Sequence, residues 1–266
     1  MPHVKHLVRR AIDGGVASAA RLLPGTALPS YFHGYWCRFD RRSWNSIYFN
    51  YEPYMAAAIT RHLPRGGTFY DVGAHFGFWS VYAARVTGTR GYVLSFEPSD
   101  AFDVLASNTR PFAHVQRQRC AVGDRDADTV FYAQGLSASG SLNHAVTKIN
   151  QHYLPTVPIT PLSVRVRTLD SLSKDAVRDP ALIKVDVEGN ELRVLEGAAS
   201  LIDRARPTWV IEIHPPQLRE CGASDDECLQ ALRKFGYRVE VLERKPNSLY
   251  TVLAEHHTRS SRSSDA

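Results

Sequence analysis

Asp186 and Glu188 stand two residues apart at the end of an apolar run, Ile183-Lys184-Val185-Asp186-Val187-Glu188-Gly189-Asn190-Glu191. In a strand, that spacing puts both carboxylates on one face. Paired acids at a strand end can take a proton from a substrate, orient it, or stabilise a neighbouring positive charge. They could also bind a divalent cation, but two oxygen ligands with no evident third make that the minority reading, and no metal is expected. The structural alternative is that Glu188 caps the next helix and pairs with Lys184. Glu212 and His214 end a second such run, Trp209-Val210-Ile211-Glu212-Ile213-His214-Pro215-Pro216. An imidazole titrates near working pH, which makes His214 a candidate base, although a histidine bonded to a carbonyl or facing solvent explains it equally well. The candidate catalytic groups are therefore Asp186, Glu188 and His214, in that order.

A third run, Phe69-Tyr70-Asp71-Val72-Gly73-Ala74-His75-Phe76-Gly77-Phe78, reads as a strand, a glycine turn and a helix start. Gly73 would let a ligand approach the backbone of the turn Gly73-Ala74-His75, and the following helix would offer N–H groups. Asp71 would oppose a phosphate but attract the ammonium of an amino acid. That favours S-adenosylmethionine over a dinucleotide, with a tight turn capped by Asp71 as the structural alternative. Glu97, in Leu94-Ser95-Phe96-Glu97-Pro98, stands where an acid can accept hydrogen bonds from both ribose hydroxyls, or cap the next helix. Gly73 and Gly77 are separated by three residues and no G-x-G-x-x-G occurs, which places an NAD(P)-dependent oxidoreductase second. A non-catalytic cofactor-binding scaffold, with structural acids, is the third reading.

These strand ends need a sheet to carry them. From Thr68 onward, short apolar strands alternate with helical segments, the pattern of a parallel sheet with crossovers and helices on both faces. Strands are expected at 68–72, 92–96, 115–122, 182–187 and 208–213, and helices at 76–86, 100–109, 190–202 and 225–235. The runs 237–242 and 248–253 are joined by a turn too short for a parallel crossover, so this Rossmann-like α/β sheet should end in an antiparallel hairpin. Methyltransferase sheets carry such a reversed edge strand, whereas dinucleotide-binding sheets are usually all parallel. The Ser/Gly/Asn/His-rich stretch 135–161 reads as a long loop, and an insert over 134–163 is expected to be a lid.

Composition is that of a folded enzyme, with 44% hydrophobic and 10% aromatic residues among 266. A net charge of +5 without a dense Lys/Arg block does not favour nucleic acid as a partner. Cys37, Cys120, Cys221 and Cys228 lack C-x-x-C pairs and read as reduced structural thiols. Residues 1–25 have helical periodicity and pack as an accessory helix or lie weakly on an anionic membrane surface. No run reaches transmembrane length or forms a signal peptide, so a cytoplasmic protein is expected. The expected organisation is an accessory segment over 1–60, a catalytic domain over 61–256, and a disordered Arg/Ser-rich tail over 257–266.

Taken together, Asp71-Val72-Gly73-Ala74-His75-Phe76-Gly77, Phe96-Glu97-Pro98, Ala121-Val122-Gly123, Thr168-Leu169-Asp170, Lys184-Val185-Asp186-Val187-Glu188-Gly189 and Val194-Leu195-Glu196-Gly197 resemble the FkbM family of methyltransferases. The resemblance covers roughly residues 50–215 and implies a class I methyltransferase fold. It implies S-adenosylmethionine as cofactor, held by Asp71, Gly73, Ala74 and His75 at its methionine end and by Glu97 with Pro98 at the ribose. Ala121 and Val122 would then lie along the adenine. It further implies O-methylation of a small-molecule acceptor such as a sugar or polyketide. Glu52, in Tyr51-Glu52-Pro53, matches an acidic position in relatives.

Overall fold

The computed structural model describes residues 27–40, 51–151, 155–175, 178–245 and 247–257. The helix expected over 1–25 and the tail expected after His257 lie outside them. The chain opens with a hairpin, β1 (Ala27–Phe32) and β2 (Tyr35–Asp40), followed by α1 (Pro53–His62). Next come β3 (Thr68–Val72), α2 (Phe78–Thr87), β4 (Tyr92–Phe96), α3 (Ala101–Thr109) and β5 (Val115–Gln118). The middle holds β6 (Ala121–Val122), β7 (Ala127–Ala133), α4 (His144–Asn150), β8 (Thr160–Arg167) and α5 (Leu169–Asp175). The last third is β9 (Leu182–Val185), α6 (Glu191–Glu196), α7 (Ala199–Ala205), β10 (Thr208–Ile213), α8 (Pro215–Glu220), α9 (Asp225–Lys234), β11 (Tyr237–Arg244) and β12 (Tyr250–His256).

Seven strands form the central sheet in the order β11-β12-β10-β9-β3-β4-β5. β3, β4, β5, β9 and β10 pair in parallel, while β12 runs antiparallel to both β10 and β11. The terminal hairpin is as expected, but its reversed member sits one place in from the edge, where β12 fills the gap between β10 and β11. Every residue of β3, β9 and β10 is buried, as a sheet covered on both faces requires. Alternation divides them: Tyr70, Val72, Ile183, Val185, Trp209 and Ile211 face a core built with α6, α7, α8 and α9. Phe69, Val93, Leu182 and Val210 face α1, α2, α3 and the first hairpin. Phe32 of that hairpin meets Phe78 and Trp79 of α2 at ring-centroid distances of 5.8 and 5.6 Å, so the hairpin belongs to the core.

Three expectations need correction. The strand expected over 115–122 is two strands in different sheets: β5 continues the central sheet, whereas Ala121 and Val122 leave its polar edge to pair with β8. The loop expected over 135–161 contains α4, whose Asn143 side chain caps it by accepting from the Ala145 N–H at 2.9 Å, and its last residues begin β8. β8 pairs with β7 on its other side, giving a three-stranded sheet. The helix expected over 190–202 is two helices, α6 and α7, with Gly197 between them, where the Gly123 carbonyl just after β6 occupies the space of a Cβ, 2.0 Å from it. The missing side chain lets the chain after β6 pack against this junction. Gly197→Ala should therefore cost about 1–3 kcal/mol of stability, read as a lower urea midpoint with unchanged slope; an unchanged midpoint would show that the contact does not constrain the fold.

Candidate functional site

At the carboxyl ends of β3, β4, β9 and β10 the chain encloses a cavity of about 240 Å³. It opens between β3 and β9, where chain progression across the sheet reverses, the usual ligand crevice of an open α/β sheet. Its wall contains Gly73, His75, Glu97, Pro98, Ala121, Val122, Asp186, Glu188 and His214. The turns after β3, β4, β9 and β10, together with β6, thus bring all three candidate catalytic groups and most candidate cofactor residues to one place.

Asp71 and Ala74 are the exceptions, both buried and outside that wall. Asp71 faces α2, where its Oδ2 accepts from the Ser80 hydroxyl at 2.6 Å and its Oδ1 lies 3.5 Å from the Lys184 ammonium. Burial raises its pKa, and Lys184 opposes that rise. Strand alternation explains the placement: Asp71 and Lys184 are register partners on the face toward α2. The turn also has fewer free donors than expected. The N–H groups of Gly73 and Ala74 donate to the Phe96 carbonyl, that of His75 to Glu97, and that of Gly77 to Ala74. A turn with these donors consumed does not cradle a phosphate, which weakens the dinucleotide reading.

Lys184 is the hub. Its Nζ donates to the Gly73 carbonyl at 2.7 Å and lies 3.5 Å from Asp186 Oδ2 as well as from Asp71. Burial alone would lower its pKa, but Asp186 and Asp71 together raise it, so the group is an ammonium. Lys184 pairs with Asp71 and Asp186, not with Glu188. Gly73 is required beside it, since a Cβ there would stand 1.9 Å from the Asp186 carbonyl.

Glu97 is buried and accepts from the His75 N–H at Oε2 (2.8 Å) and from the Ser99 N–H and hydroxyl at Oε1 (2.9 and 2.6 Å). About four acceptor directions exist on a carboxylate, so Oε2 keeps one for a ligand hydroxyl. The His75 ring, whose pKa burial lowers against the pull of Glu97, donates from Nε2 to the Leu136 carbonyl at 2.8 Å and so ties the turn to the insert. Ala121 and Val122 provide an apolar patch beside it.

On the other side, Glu188 has a left-handed backbone (φ 51°), a conformation that costs a non-glycine residue about 1–3 kcal/mol. Hydrogen bonds hold it: Oε2 accepts from Asn150 of α4 at 3.0 Å and from Gln217 of α8 at 3.3 Å. Burial pushes its pKa up to about 7, with His214 working in the opposite sense. His214 is buried, its Nδ1–H donating to Glu191 Oε1 at 2.7 Å. Its Nε2 lies 3.7 Å from both Asp186 Oδ1 and Glu188 Oε1. Burial lowers the pKa of this imidazole, but Glu188, Glu191 and Asp186 together raise it well above the usual value. Burial likewise raises that of Asp186, yet Lys184 and His214 bring it below the normal carboxylate range.

Several of these groups were not assigned from sequence. Glu191 lies within the Asp186 motif but meets His214 from 23 positions away, a contact that spacing alone does not reveal. Asn150 and Gln217 come from α4 and α8. Lys245, on the cavity wall, lies 2.9 Å from Glu52 and 2.5 Å from Glu212, which gives the upstream acid Glu52 a role in closing the wall. All four cysteines are free, and among the described residues no helix is long and apolar enough to cross a membrane.

Residues 71–239, well over half of the chain, match the family described as the methyltransferase FkbM domain. The hexuronic acid methyltransferase AglP of Haloferax volcanii is 26% identical over 190 residues, spanning 68% of this chain and 72% of that protein. Among solved structures, the methyltransferase FkbM of Methylobacillus flagellatus is similar at 18% identity and a TM-score of 0.48, over 71% of this chain and 43% of its own length. An S-adenosylmethionine-dependent O-methyltransferase of Thermotoga maritima follows at 14% identity and a TM-score of 0.45, over 77% and 65% of the two chains.

The burial of Lys184 between two acids makes a stability test direct. Lys184→Met should lose about 3–5 kcal/mol in urea denaturation, because it leaves Asp71 buried without a countercharge. A loss below about 1 kcal/mol would mean that the ammonium does not hold these strand ends together.

Proposed function

Since the chain belongs to the FkbM family of methyltransferases, we propose that it methylates a hydroxyl of a small-molecule acceptor with S-adenosylmethionine as donor. The observation that carries this reading is that one cavity joins a hydroxyl-accepting carboxylate and apolar patch to a second, carboxylate-rich corner. Glu97 Oε2 fits a ribose hydroxyl, and Ala121 with Val122 fits a flat base. Gly73 lets the turn pack against the Asp186 backbone at the cavity wall, and the acids of that wall suit a ligand carrying ammonium and sulfonium charges. Asp71 supports the seat indirectly, through Lys184 and the Gly73 carbonyl.

When bound, the donor supplies a methyl group on a sulfonium: the acceptor oxygen forms a bond to that carbon as the carbon–sulfur bond breaks, its electron pair staying on sulfur. The residues of this chain then have two tasks. The first is to hold the acceptor hydroxyl in line, since positioning provides much of the rate for an already activated donor. The second is to accept the hydroxyl proton, for which the carboxylates of Asp186 and Glu188 are the candidates. His214, clamped by Glu191, orients them, and residues 134–163 act as a lid tied down by His75 to Leu136 and by Glu188 to Asn150. A sugar or sugar acid is the acceptor class that the Haloferax relative suggests; polyketides are the second.

Calorimetry with S-adenosylhomocysteine tests the donor. Micromolar binding is expected, and Glu97→Ala should weaken it roughly 10- to 100-fold, the contribution of a charge-assisted hydrogen bond. Binding of NAD(P) instead would turn the reading toward an oxidoreductase, and binding of neither toward a scaffold. For the acceptor end, Asp186→Ala should keep adenosylhomocysteine binding while losing turnover of a hexuronic acid acceptor by about 100-fold or more; wild-type turnover would remove Asp186 from the mechanism.

A further inference from the structure

We propose that Asp186, Glu188 and His214 form a binding site for a divalent cation of the Mg²⁺ or Mn²⁺ type, at the acceptor end of the cavity. One ligand atom from each lies within 4.8 Å of the other two, and His214 Nε2 is 3.7 Å from both Asp186 Oδ1 and Glu188 Oε1. The third ligand that the spacing of Asp186 and Glu188 does not supply comes from the neighbouring strand end, where β10 delivers His214 to the same corner.

Each of the three side chains has its other polar atom engaged, which leaves one ligand atom pointing inward. Asp186 Oδ2 lies 3.5 Å from Lys184, Glu188 Oε2 accepts from Asn150 and Gln217, and His214 Nδ1–H donates to Glu191. A carboxylate behind the distal nitrogen of a histidine is the usual support of a metal-bound imidazole, because it fixes the tautomer and aims the free nitrogen. Glu191 and His214 are both buried, so that aim is held by packing as well.

The separations argue against a simple ion pair. His214 Nε2 lies 3.7 Å from each carboxylate oxygen, where a charge-assisted N–H···O bond would close to about 2.7–2.9 Å. Bonds of about 2.0–2.3 Å to a central ion place neighbouring ligand atoms about 3–3.8 Å apart; the two separations from His214 Nε2 match that, and the three groups together lie within 4.8 Å. Two carboxylates suit Mg²⁺ or Mn²⁺, the imidazole as a borderline donor favours Mn²⁺ of the two, and the absence of a thiolate from the set argues against a softer ion. Glu212 of the cavity wall is answered by Lys245, whereas Asp186 and Glu188 face the corner together.

An ion here would deepen the function proposed above, and that role, unlike the binding itself, rests on the methyl-transfer reading. Three protein ligands leave coordination positions open to the cavity, where a sugar acid could bind through its carboxylate and an adjacent hydroxyl. A direct approach of an anionic sugar to these carboxylates would be repulsive; the cation turns the same corner into an anchor and lowers the pKa of the bound hydroxyl.

Full-length protein stripped with EDTA and titrated with Mn²⁺, followed by the paramagnetic resonance signal of the free ion, tests this. One Mn²⁺ per chain is expected to bind, displaced by Mg²⁺. His214→Gln and Glu188→Gln should each weaken binding at least about 10-fold, and Glu191→Gln, which removes only the support, should weaken it less. Melting temperature and adenosylhomocysteine calorimetry on the same samples report whether each variant is folded. A free-ion signal unchanged by excess wild-type protein, or the same affinity in folded His214→Gln, overturns the site. Adenosylhomocysteine binding without Mn²⁺ binding would refute the cation site and leave methyl transfer standing. Mn²⁺ binding without adenosylhomocysteine binding would support the site and refute the donor.

Discussion

The ammonium of Lys184 is the constraint from which the rest of the cavity is built. It is buried at the place where the chain leaves β3 for one half of the sheet and returns through β9 to the other. There it joins the Asp71 carboxylate, the Gly73 carbonyl and the Asp186 carboxylate. Its three partners belong to the turns and strands that flank the crevice. An amine in this position costs several kcal/mol of desolvation unless its partners are fixed, so the ion cluster and the geometry of the turn depend on each other. Gly73 follows from the same arrangement, because only a residue without Cβ fits against the Asp186 carbonyl.

Charge is distributed unevenly around this hub. Beneath the cavity, Asp71 and Lys184 balance; at its far wall, Lys245 answers Glu52 and Glu212. The corner between them holds Asp186, Glu188 and Glu191 around one imidazole. Such a concentration of buried carboxylate is unfavourable for folding alone, and strain at Glu188 adds to it. Sites that carry this kind of cost are where binding and catalysis are usually found. The insert contributes through the hydrogen bonds of Asn150 to Glu188 and of His75 to the Leu136 carbonyl, so it helps to build the cavity.

Much of this was legible in the sequence, because parallel strands announce themselves as short apolar runs and their carboxyl ends carry the polar residues. The limits of β3, β4 and β10 and the terminal hairpin follow from that pattern alone. What escaped was of two kinds. Short elements with few apolar residues, such as the seven-residue α4, do not produce a periodicity, although the Asn143 cap is a local signal for it. Pairings between distant residues leave no trace in spacing: His214 with Glu191, Glu188 with Gln217, and Lys245 with Glu52 each require the folded sheet. Asp71 shows the reverse case, a residue with fitting chemistry whose strand parity turns it toward α2 and out of the cavity wall.

The central claim is that one cavity holds the donor on its Glu97 side and presents it to the Asp186–Glu188–His214 corner. A crystal structure with S-adenosylhomocysteine tests this most directly. Density with a ribose hydroxyl on Glu97, the adenine against Ala121 and Val122, and the sulfur directed at the corner is the expected result. Density for the ligand outside this cavity, or inside it with the sulfur turned away from Asp186 and Glu188, would contradict it.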